Sequence, residues 1–168
     1  MSDLVRLFHH QWSLPVLVEL LRGPDKRYAA LARRLKVSRQ TLTDTLAALS
    51  SQGLVEGVGG DYALTRKGDR VAERGEAILS ALGGRLANQR KWALPILHAL
   101  GRKPQRFGEL KASLPGATPR ALSMALKDLV SAGLVDRRVL DRFPPRTEYV
   151  LQQKARTLAP LLDQIARA

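Results

Sequence analysis

The strongest constraint on the fold is an internal repeat. The segment WSLPVLVEL at 12–20 recurs as WALPILHAL at 92–100, with its tryptophan, its proline and three leucines in register. The match resumes where SQGLVEG at 51–57 meets SAGLVDR at 131–137. Chance similarity between two leucine-rich helices would not preserve the tryptophan, the proline and the Gly-Leu-Val tripeptide in one order. The chain is therefore predicted to consist of two tandem domains, each large enough for a modest core.

The two predicted domains, 1–84 and 85–168, share one order of elements. In the second, Thr118 and Pro119 predict the N-cap and first residue of a helix, and Gly133 predicts its left-handed end. LVDRRVL and TEYVL, joined by DRFPPR, predict a β-hairpin with a rigid basic tip. The remaining helices are predicted near 91–100, with Gly101 as the expected end, and near 106–114 and 154–167. In the first domain, the sequence pattern predicts helices near 12–22, 27–36 and 39–52, a hairpin near 54–64 and a helix near 66–82.

Three helices, a hairpin and a helix form the order of a winged helix-turn-helix. The predicted fold class is therefore mainly α with small β-hairpin wings (α+β), built as two tandem winged helix-turn-helix domains. The first wing is predicted to be short and acidic, and the second to be basic.

The chain carries a large excess of positive charge. It has 28 lysine and arginine residues against 15 aspartate and glutamate residues, a net charge of +13. A polyanion is the natural partner, with nucleic acid the first expectation and an anionic membrane surface the second. The absence of cysteine excludes disulfides, thiolate nucleophiles and cysteine zinc sites. Neither a signal sequence nor an uninterrupted apolar run of ~18 residues is found, so a cytoplasmic protein without a membrane segment is expected.

The second repeat resembles the HxlR-type winged-helix transcriptional regulators over about 91–165. The matching text is KWALPILHAL, RFGELKASLPGATPRALSMALKDLVSAGLVDRRV and the proline-containing wing FPPRTEYVL. Residues 12–82 resemble a degenerate version, whose wing lacks proline and arginine. The chain departs from the family pattern in two ways. It lacks the cysteine that family members commonly have before the first core helix, and only the first repeat keeps the family's Leu-Thr-x-x-Gly run, as LTRKG. Because the family acts as homodimers, the resemblance implies that this single chain forms a pseudo-dimer.

The third helix of each repeat is the candidate recognition helix. A helix in the major groove reads base edges with side chains near its N-terminus. Arg120 is expected to reach guanine and Lys127 to meet phosphate, whereas Gln40 is expected to pair with adenine. The residues predicted to bind DNA are Thr118, Arg120, Ser123 and Lys127 in the second repeat, and Arg39, Gln40 and Thr43 in the first.

The two predicted wings differ in charge. The first, EGVGGDY, is acidic and glycine-rich, whereas Pro144-Pro145 stiffen the second, which suits a minor groove or the phosphate backbone. Residues 1–84 hold 12 basic and 9 acidic residues, net +3, and residues 85–168 hold 16 and 6, net +10. The second domain is therefore predicted to dominate affinity. Its predicted DNA-binding wing residues are Arg137, Arg138, Arg142 and Arg146.

The sequence offers no constellation for catalysis or for metal binding. No carboxylates stand at ligand spacing from a histidine, and the GxxxxGK[ST] phosphate loop is missing. Neither an enzyme activity, a cofactor nor a metal is predicted. If residues 66–98 form helices that link the domains, an effector pocket is expected between them, near Phe8, Trp12 and Trp92.

The predicted function is a sequence-specific regulator of transcription that binds double-stranded DNA. Repression by operator occupancy is favoured, with two recognition helices about one DNA turn, ~34 Å, apart. The chain is expected to act as a monomeric pseudo-dimer or as a homodimer, and a small-molecule effector would release it. An alternative from another class is a protein-interaction or architectural winged-helix module that binds DNA without reading its sequence. A helix-unwinding repair enzyme is a third possibility, but no catalytic constellation supports it.

Overall fold

The computed structural model describes residues 3–8, 10–83 and 91–168, so the predicted boundary between residues 84 and 85 lies outside the described residues. The two described parts around that gap are called the first half and the second half below. The first half contains α1 (Asp3–Leu7), α2 (Ser13–Arg22), α3 (Tyr28–Leu35), α4 (Arg39–Ser51), β1 (Val55–Val58), β2 (Asp61–Leu64) and α5 (Arg66–Ala81). The second half contains α6 (Ala93–Arg102), α7 (Phe107–Ser113), α8 (Pro119–Ser131), β3 (Val135–Leu140), β4 (Arg146–Leu151), α9 (Gln153–Arg156) and α10 (Leu158–Ala166). None of the described helices is both long and apolar enough to cross a membrane.

Each half contains one antiparallel hairpin. The first runs in register from Val55↔Leu64 to Val58↔Asp61. The second runs from Val135↔Leu151 to Leu140↔Arg146 and is two residues longer on each strand. The predicted class, mainly helical with small β-hairpins, is confirmed.

Backbone hydrogen bonds tie each hairpin to the segment between the first two long helices of its half. In the second half, the Tyr149 N–H donates to the Gln105 carbonyl at 2.8 Å, and the Gln105 N–H donates back at 3.1 Å. In the first half, the Tyr62 N–H donates to the Lys26 carbonyl at 3.2 Å. The base of each hairpin therefore has a fixed position relative to its helices.

The third long helix of each half ends at a glycine in the left-handed region. Gly53 has φ 67° and Gly133 has φ 64°, which glycine adopts without a steric penalty. The next residue closes the end, since the Leu54 and Leu134 N–H groups donate to carbonyls five residues earlier at 3.0 and 2.9 Å. Both leucines are buried. The predicted left-handed end at Gly133 is confirmed.

Three details differ from the sequence-based expectation. Gly101 does not end α6 but lies within it, where a Cβ atom would be 2.8 Å from the Ala159 Cβ; the glycine thus permits close packing of α6 on α10. The predicted single last helix is divided at Thr157 into α9 and α10. Pro160 has no N–H to continue the ladder of hydrogen bonds across that point, which accounts for the division. The short helix α1 was not predicted.

The apolar side chains of the two halves form one continuous core, whereas the repeat favoured a core for each domain. Within the halves, α5 packs on α2 and α10 packs on α6. Across them, α5 packs on α10 and α1 also contacts α10. The Arg74 Nε donates to the Gln164 Oε1 at 2.8 Å between α5 and α10. The α5–α10 contact therefore determines how the halves are oriented.

Gly68, in the first turn of α5, is expected to be intolerant of a side chain. A Cβ atom there would lie 1.9 Å from the Leu54 carbonyl oxygen, which follows α4 directly. Gly68→Ala is expected to lower the free energy of unfolding by ~1–3 kcal/mol through overpacking. Urea or thermal unfolding measures this change.

Gly108 is the matched control, because it also lies in a helix and a Cβ atom there would meet nothing within 4 Å. Gly108→Ala is expected to leave stability unchanged or to raise it by ~0.5–1 kcal/mol. Equal losses for the two variants would contradict the close approach of α5 to Leu54.

Candidate nucleic-acid interface

The helix α8 has one buried face and one exposed face. Its buried side chains Leu122, Ala125, Leu126 and Leu129 anchor it to the core. The four side chains predicted to bind DNA all lie on the exposed side, namely Thr118, Arg120, Ser123 and Lys127. Arg120 lies in the first turn and Lys127 two turns further on, so the exposed face carries positive charge near both ends.

The first turn of α8 is held by a side-chain cap. The Thr118 Oγ1 accepts the Ala121 N–H at 3.1 Å, and Pro119 occupies the first helical position. The hydroxyl of Thr118 thus stabilises the end of the helix that carries Arg120. Its first role is to position the helix.

The helix α4 is built in the same way but has a different exposed chemistry. Leu42, Leu46 and Leu49 are buried, whereas the predicted residues Arg39, Gln40 and Thr43 are exposed. Its cap is Ser38, whose Oγ accepts the Thr41 N–H at 3.2 Å.

Two exposed polar groups of α4 already have partners within the chain. The Gln40 Nε2 donates to the Asp44 Oδ1 at 2.8 Å, so the amide keeps one N–H and its carbonyl available. The Tyr28 hydroxyl donates to the Arg39 carbonyl at 2.6 Å and lies 2.8 Å from the Thr43 Oγ1. Because a phenol has one proton, Thr43 is then the donor to Tyr28. These contacts fix the orientation of Gln40 and Thr43.

The second hairpin presents a row of exposed arginines. The predicted residues Arg137, Arg138, Arg142 and Arg146 are all exposed along β3, the connecting loop and the start of β4. The first hairpin turns through Gly59 and Gly60, with φ of 58° and 90°, and carries exposed Glu56 and Asp61. The two hairpins thus share a position in the fold but have opposite charge.

Some arginines of the first half are neutralised by neighbouring carboxylates. The Arg27 Nη2 lies 2.9 Å from the Asp25 Oδ2, and this hydrogen-bonded pair lowers the pKa of Asp25 to about 2. Arg34 pairs with Glu19 between α3 and α2. These pairs reduce the positive field of a half that has few excess charges.

A cavity of about 480 Å³ lies between the halves, next to the first turns of α4 and α8. It is lined by residues from both halves: His10, Gln11, Trp12, Thr41, Thr45, Lys91, Trp92 and Ala121. Two of the three predicted pocket residues, Trp12 and Trp92, are therefore among its walls. Phe8, the third, is buried in the core instead. The repeat offset of 80 residues relates Trp12 to Trp92 and Thr41 to Ala121, so the lining is partly symmetric.

His98 is a hydrogen-bonded residue of α6. Its Nε2 lies 2.8 Å from the Asp163 Oδ1 of α10, and the side chain is largely buried. Among the described residues, no group of three or more histidine, aspartate or glutamate side chains is placed to hold a metal ion. His9 lies outside the described residues.

Sequence reasoning missed several residues that the structure places at these sites. Tyr28 was not connected to α4, because the contact joins two helices. Gln11 and Lys91 line the cavity at positions that the repeat relates to each other, and the repeat was the signal that would have found them. Phe143, at the tip of the second hairpin, is fully exposed.

Two family models match this chain. The HxlR-like helix-turn-helix family matches residues 87–167. The HVO_A0261 N-terminal domain family matches residues 2–87. The two halves thus match different families.

Relatives of this chain are regulators of transcription. It is 39% identical over 93 residues to the uncharacterized HTH-type transcriptional regulator YdzF of Bacillus subtilis (strain 168), covering 55% of this chain and 80% of the relative. It is 40% identical over 88 residues to another HTH-type transcriptional regulator, from Halalkalibacterium halodurans, covering 52% and 73%. A solved MarR-family transcriptional regulator from Porphyromonas gingivalis W83 is 30% identical, with a TM-score of 0.45 and coverage of 55% and 84%.

The family model and the curated relatives define the class of the protein. The chain belongs to the HTH-type transcriptional regulators, and its second half is of the HxlR-like type. It is a DNA-binding regulator of transcription and not an enzyme.

Removal of the Thr118 cap is expected to destabilise the protein through α8. Thr118→Ala leaves the Ala121 N–H without its side-chain acceptor, so the free energy of unfolding is expected to fall by ~1 kcal/mol. Ser123→Ala on the exposed face of the same helix is the control, with a change within ~0.5 kcal/mol. Chemical denaturation of both variants measures the difference, and equal effects would show that the cap is dispensable.

Proposed function

We propose that the protein is a sequence-specific regulator that binds double-stranded DNA with two recognition helices in one chain. The observation that carries this proposal is the exposed, capped face of α8 with Arg120 and Lys127, followed by the arginine-rich second hairpin. A groove-reading helix and a basic hairpin in one half supply both base contacts and phosphate contacts.

The two halves are proposed to be copies of one winged helix-turn-helix module that act as a pseudo-dimer. Their shared order of elements, the matching hydrogen bonds of Tyr62 and Tyr149, and the left-handed Gly53 and Gly133 support common ancestry. The α5–α10 contact holds them as partners. A homodimer of this chain would read a longer site with four such helices.

Within this arrangement, the second half supplies most of the affinity. Its wing arginines Arg137, Arg138, Arg142 and Arg146 are proposed to contact the minor groove or phosphates, and Arg120 to contact guanine. In the first half, Gln40, held by Asp44, is proposed to contact adenine, with Arg39 and Thr43 beside it. The first half is then proposed to adjust the position of the protein on the DNA or to bind a non-identical half-site.

Repression by occupancy of an operator is the proposed mode of regulation. A small molecule in the cavity between the halves is proposed to release the DNA. The cavity borders Thr41 of α4 and Ala121 of α8, so the first turns of the two helices lie closer together than the expected ~34 Å of one DNA turn. An occupant of the cavity would alter their spacing. A shift of this kind changes affinity only if the occupant binds one spacing better than the other.

A gel-shift titration against the DNA upstream of the protein's own gene, with random competitor DNA and a salt series, tests the proposed function. A sequence-specific regulator prefers its site by ~10³ or more over random DNA. A basic architectural module would bind all fragments alike and release them uniformly as salt rises. Uniform binding would therefore overturn the proposal in favour of that alternative.

The two recognition helices are expected to contribute unequally. Arg120→Ala is expected to weaken operator binding by ~1–3 kcal/mol and to relax the preference at one guanine. Arg39→Ala, at the corresponding end of α4, is expected to weaken operator binding less than Arg120→Ala does. The reason is that residues 1–84 have a net charge of +3, whereas residues 85–168 have +10. Quantitative footprinting measures both, and equal losses would contradict the asymmetry.

The cavity is expected to couple to DNA binding. Trp12 and Trp92 are the only tryptophans of the chain and both line it, so their fluorescence reports on occupancy. The probe 1-anilinonaphthalene-8-sulfonate is expected to quench both and to weaken operator binding by ~5- to 150-fold. Ala121→Phe, which fills part of the cavity, is expected to reduce probe binding. Quenching without any change in DNA affinity would exclude the effector role.

A further inference from the structure

The tip of the second hairpin carries an aromatic side chain that the fold does not use. Phe143 has a relative exposure of 101%, and Val139 on the adjoining strand has 69%. Every other phenylalanine is at least half-buried in the part of the chain that the structure describes. At the tip of the hairpin, Phe143 packs against nothing in its own chain, so its ring is available for contact with a partner.

The charges around Phe143 indicate what that partner is. Arg142 precedes it directly and Arg146 follows three residues later, both exposed, with Arg137 and Arg138 on the strand behind. The hairpin also holds Asp136, 3.6 Å from Arg138, together with Asp141 and Glu148, so four arginines face three carboxylates and the net charge of residues 135–151 is +1. Aromatic and arginine side chains are frequent in protein–protein interfaces too. The row of exposed arginines beside Phe143, on a chain with a net charge of +13, favours a polyanion that also offers apolar surface. Stacked DNA bases inside a phosphate backbone are such a surface.

The hairpin is constructed to hold this side chain out from the protein. Pro144 and Pro145 restrict the loop after Phe143, because each proline ring limits its φ angle. At the other end, the hydrogen bonds between Gln105 and Tyr149 anchor the hairpin to the helices. A stiff, anchored loop loses little conformational entropy when it binds.

We propose that Phe143 is a wedge that enters the minor groove beside the site read by α8 and partly unstacks one base step. This inference rests on the proposed function, because it assumes that α8 and the second hairpin meet the same DNA. Apolar wedges of this kind bend the duplex toward the major groove. Pyrimidine–purine steps unstack most easily, so Phe143 adds a preference for such a step at the position of the hairpin tip.

The bend is on one side only. The first hairpin turns through Gly59 and Gly60, which have no side chains to insert. One chain therefore makes one bend, displaced from the centre of its footprint toward the half-site of the second half. A symmetric homodimeric regulator would make two.

The experiment measures the shape of a bound duplex of about 30 base pairs by energy transfer between dyes at its two ends. The wild-type chain is expected to bend the duplex by between about 20° and 90°. Phe143→Ala is expected to abolish the bend while the slope of log affinity against log salt stays the same, because all arginines remain. Phe143→Leu, which keeps an apolar wedge, is expected to retain most of the bend. Val58→Ala is the matched control, since Val58 is 56% exposed on the hairpin without arginines and should not affect the bend.

A fluorescent 2-aminopurine placed at successive steps of the same duplex locates the unstacked base. Its emission is expected to rise at one off-centre step with wild type and not with Phe143→Ala. Straight DNA under the wild-type chain, or a bend that survives in Phe143→Ala, overturns the wedge. Loss of binding to phosphatidylserine vesicles in Phe143→Ala with an unchanged bend also overturns it, in favour of a membrane contact. The exposed position of Phe143 leaves the melting temperature of the variants unchanged, which a thermal scan checks.

The sequence preference measured by gel shift keeps this proposal distinct from the proposed function. If the chain binds all DNA alike but bends it through Phe143, the wedge is supported and the proposed sequence specificity is overturned. If the chain prefers its site but does not bend the DNA, the proposed function is supported and the wedge is overturned. A chain that binds no DNA loses both.

Discussion

The contact between α5 and α10 is the interaction on which the arrangement of the protein depends. Each of these helices also packs on the first long helix of its own half, so one layer of apolar side chains connects both halves. The orientation of α4 relative to α8 follows from this contact, because both helices are anchored to that core by their leucines. The cavity beside Trp12 and Trp92 is the space left where the two halves meet.

The halves use one backbone plan for two electrostatic tasks. Both have a hydroxyl-capped third helix, a left-handed glycine at its end and a hairpin tied back to the helices. In the first half, the exposed amide of Gln40 is held by Asp44 and the hairpin is acidic. In the second half, the corresponding surface carries Arg120, Lys127 and a row of arginines. Because backbone geometry depends mainly on the buried residues, exposed charge can differ while the plan is kept.

Much of the fold was predictable from local signals. Thr118-Pro119 and Gly133 mark the ends of α8 through capping and left-handed geometry, which depend on a few neighbouring residues. The exposed candidate residues of α4 and α8 followed from helical periodicity alone. Apart from the division of the last helix, which Pro160 explains locally, four features of the fold were missed or wrong: α1, the role of Gly101, the position of Phe8 and the core that the two halves share. Each depends on packing between segments distant in sequence, which periodicity does not contain.

The amino-acid pattern alone was enough to establish the order of the principal helices and of the hairpins, the positive charge of the second half and the family of the second half. Those properties arise from short-range backbone preferences, composition and motif spacing. Only packing in three dimensions decided that the halves share one core, that Tyr28 holds Thr43, and that eight residues from four segments line one open cavity. These outcomes depend on the distances between surfaces after folding. The sequence pattern predicts which apolar and charged surfaces exist. Which of these surfaces come into contact is decided only by packing in the folded chain.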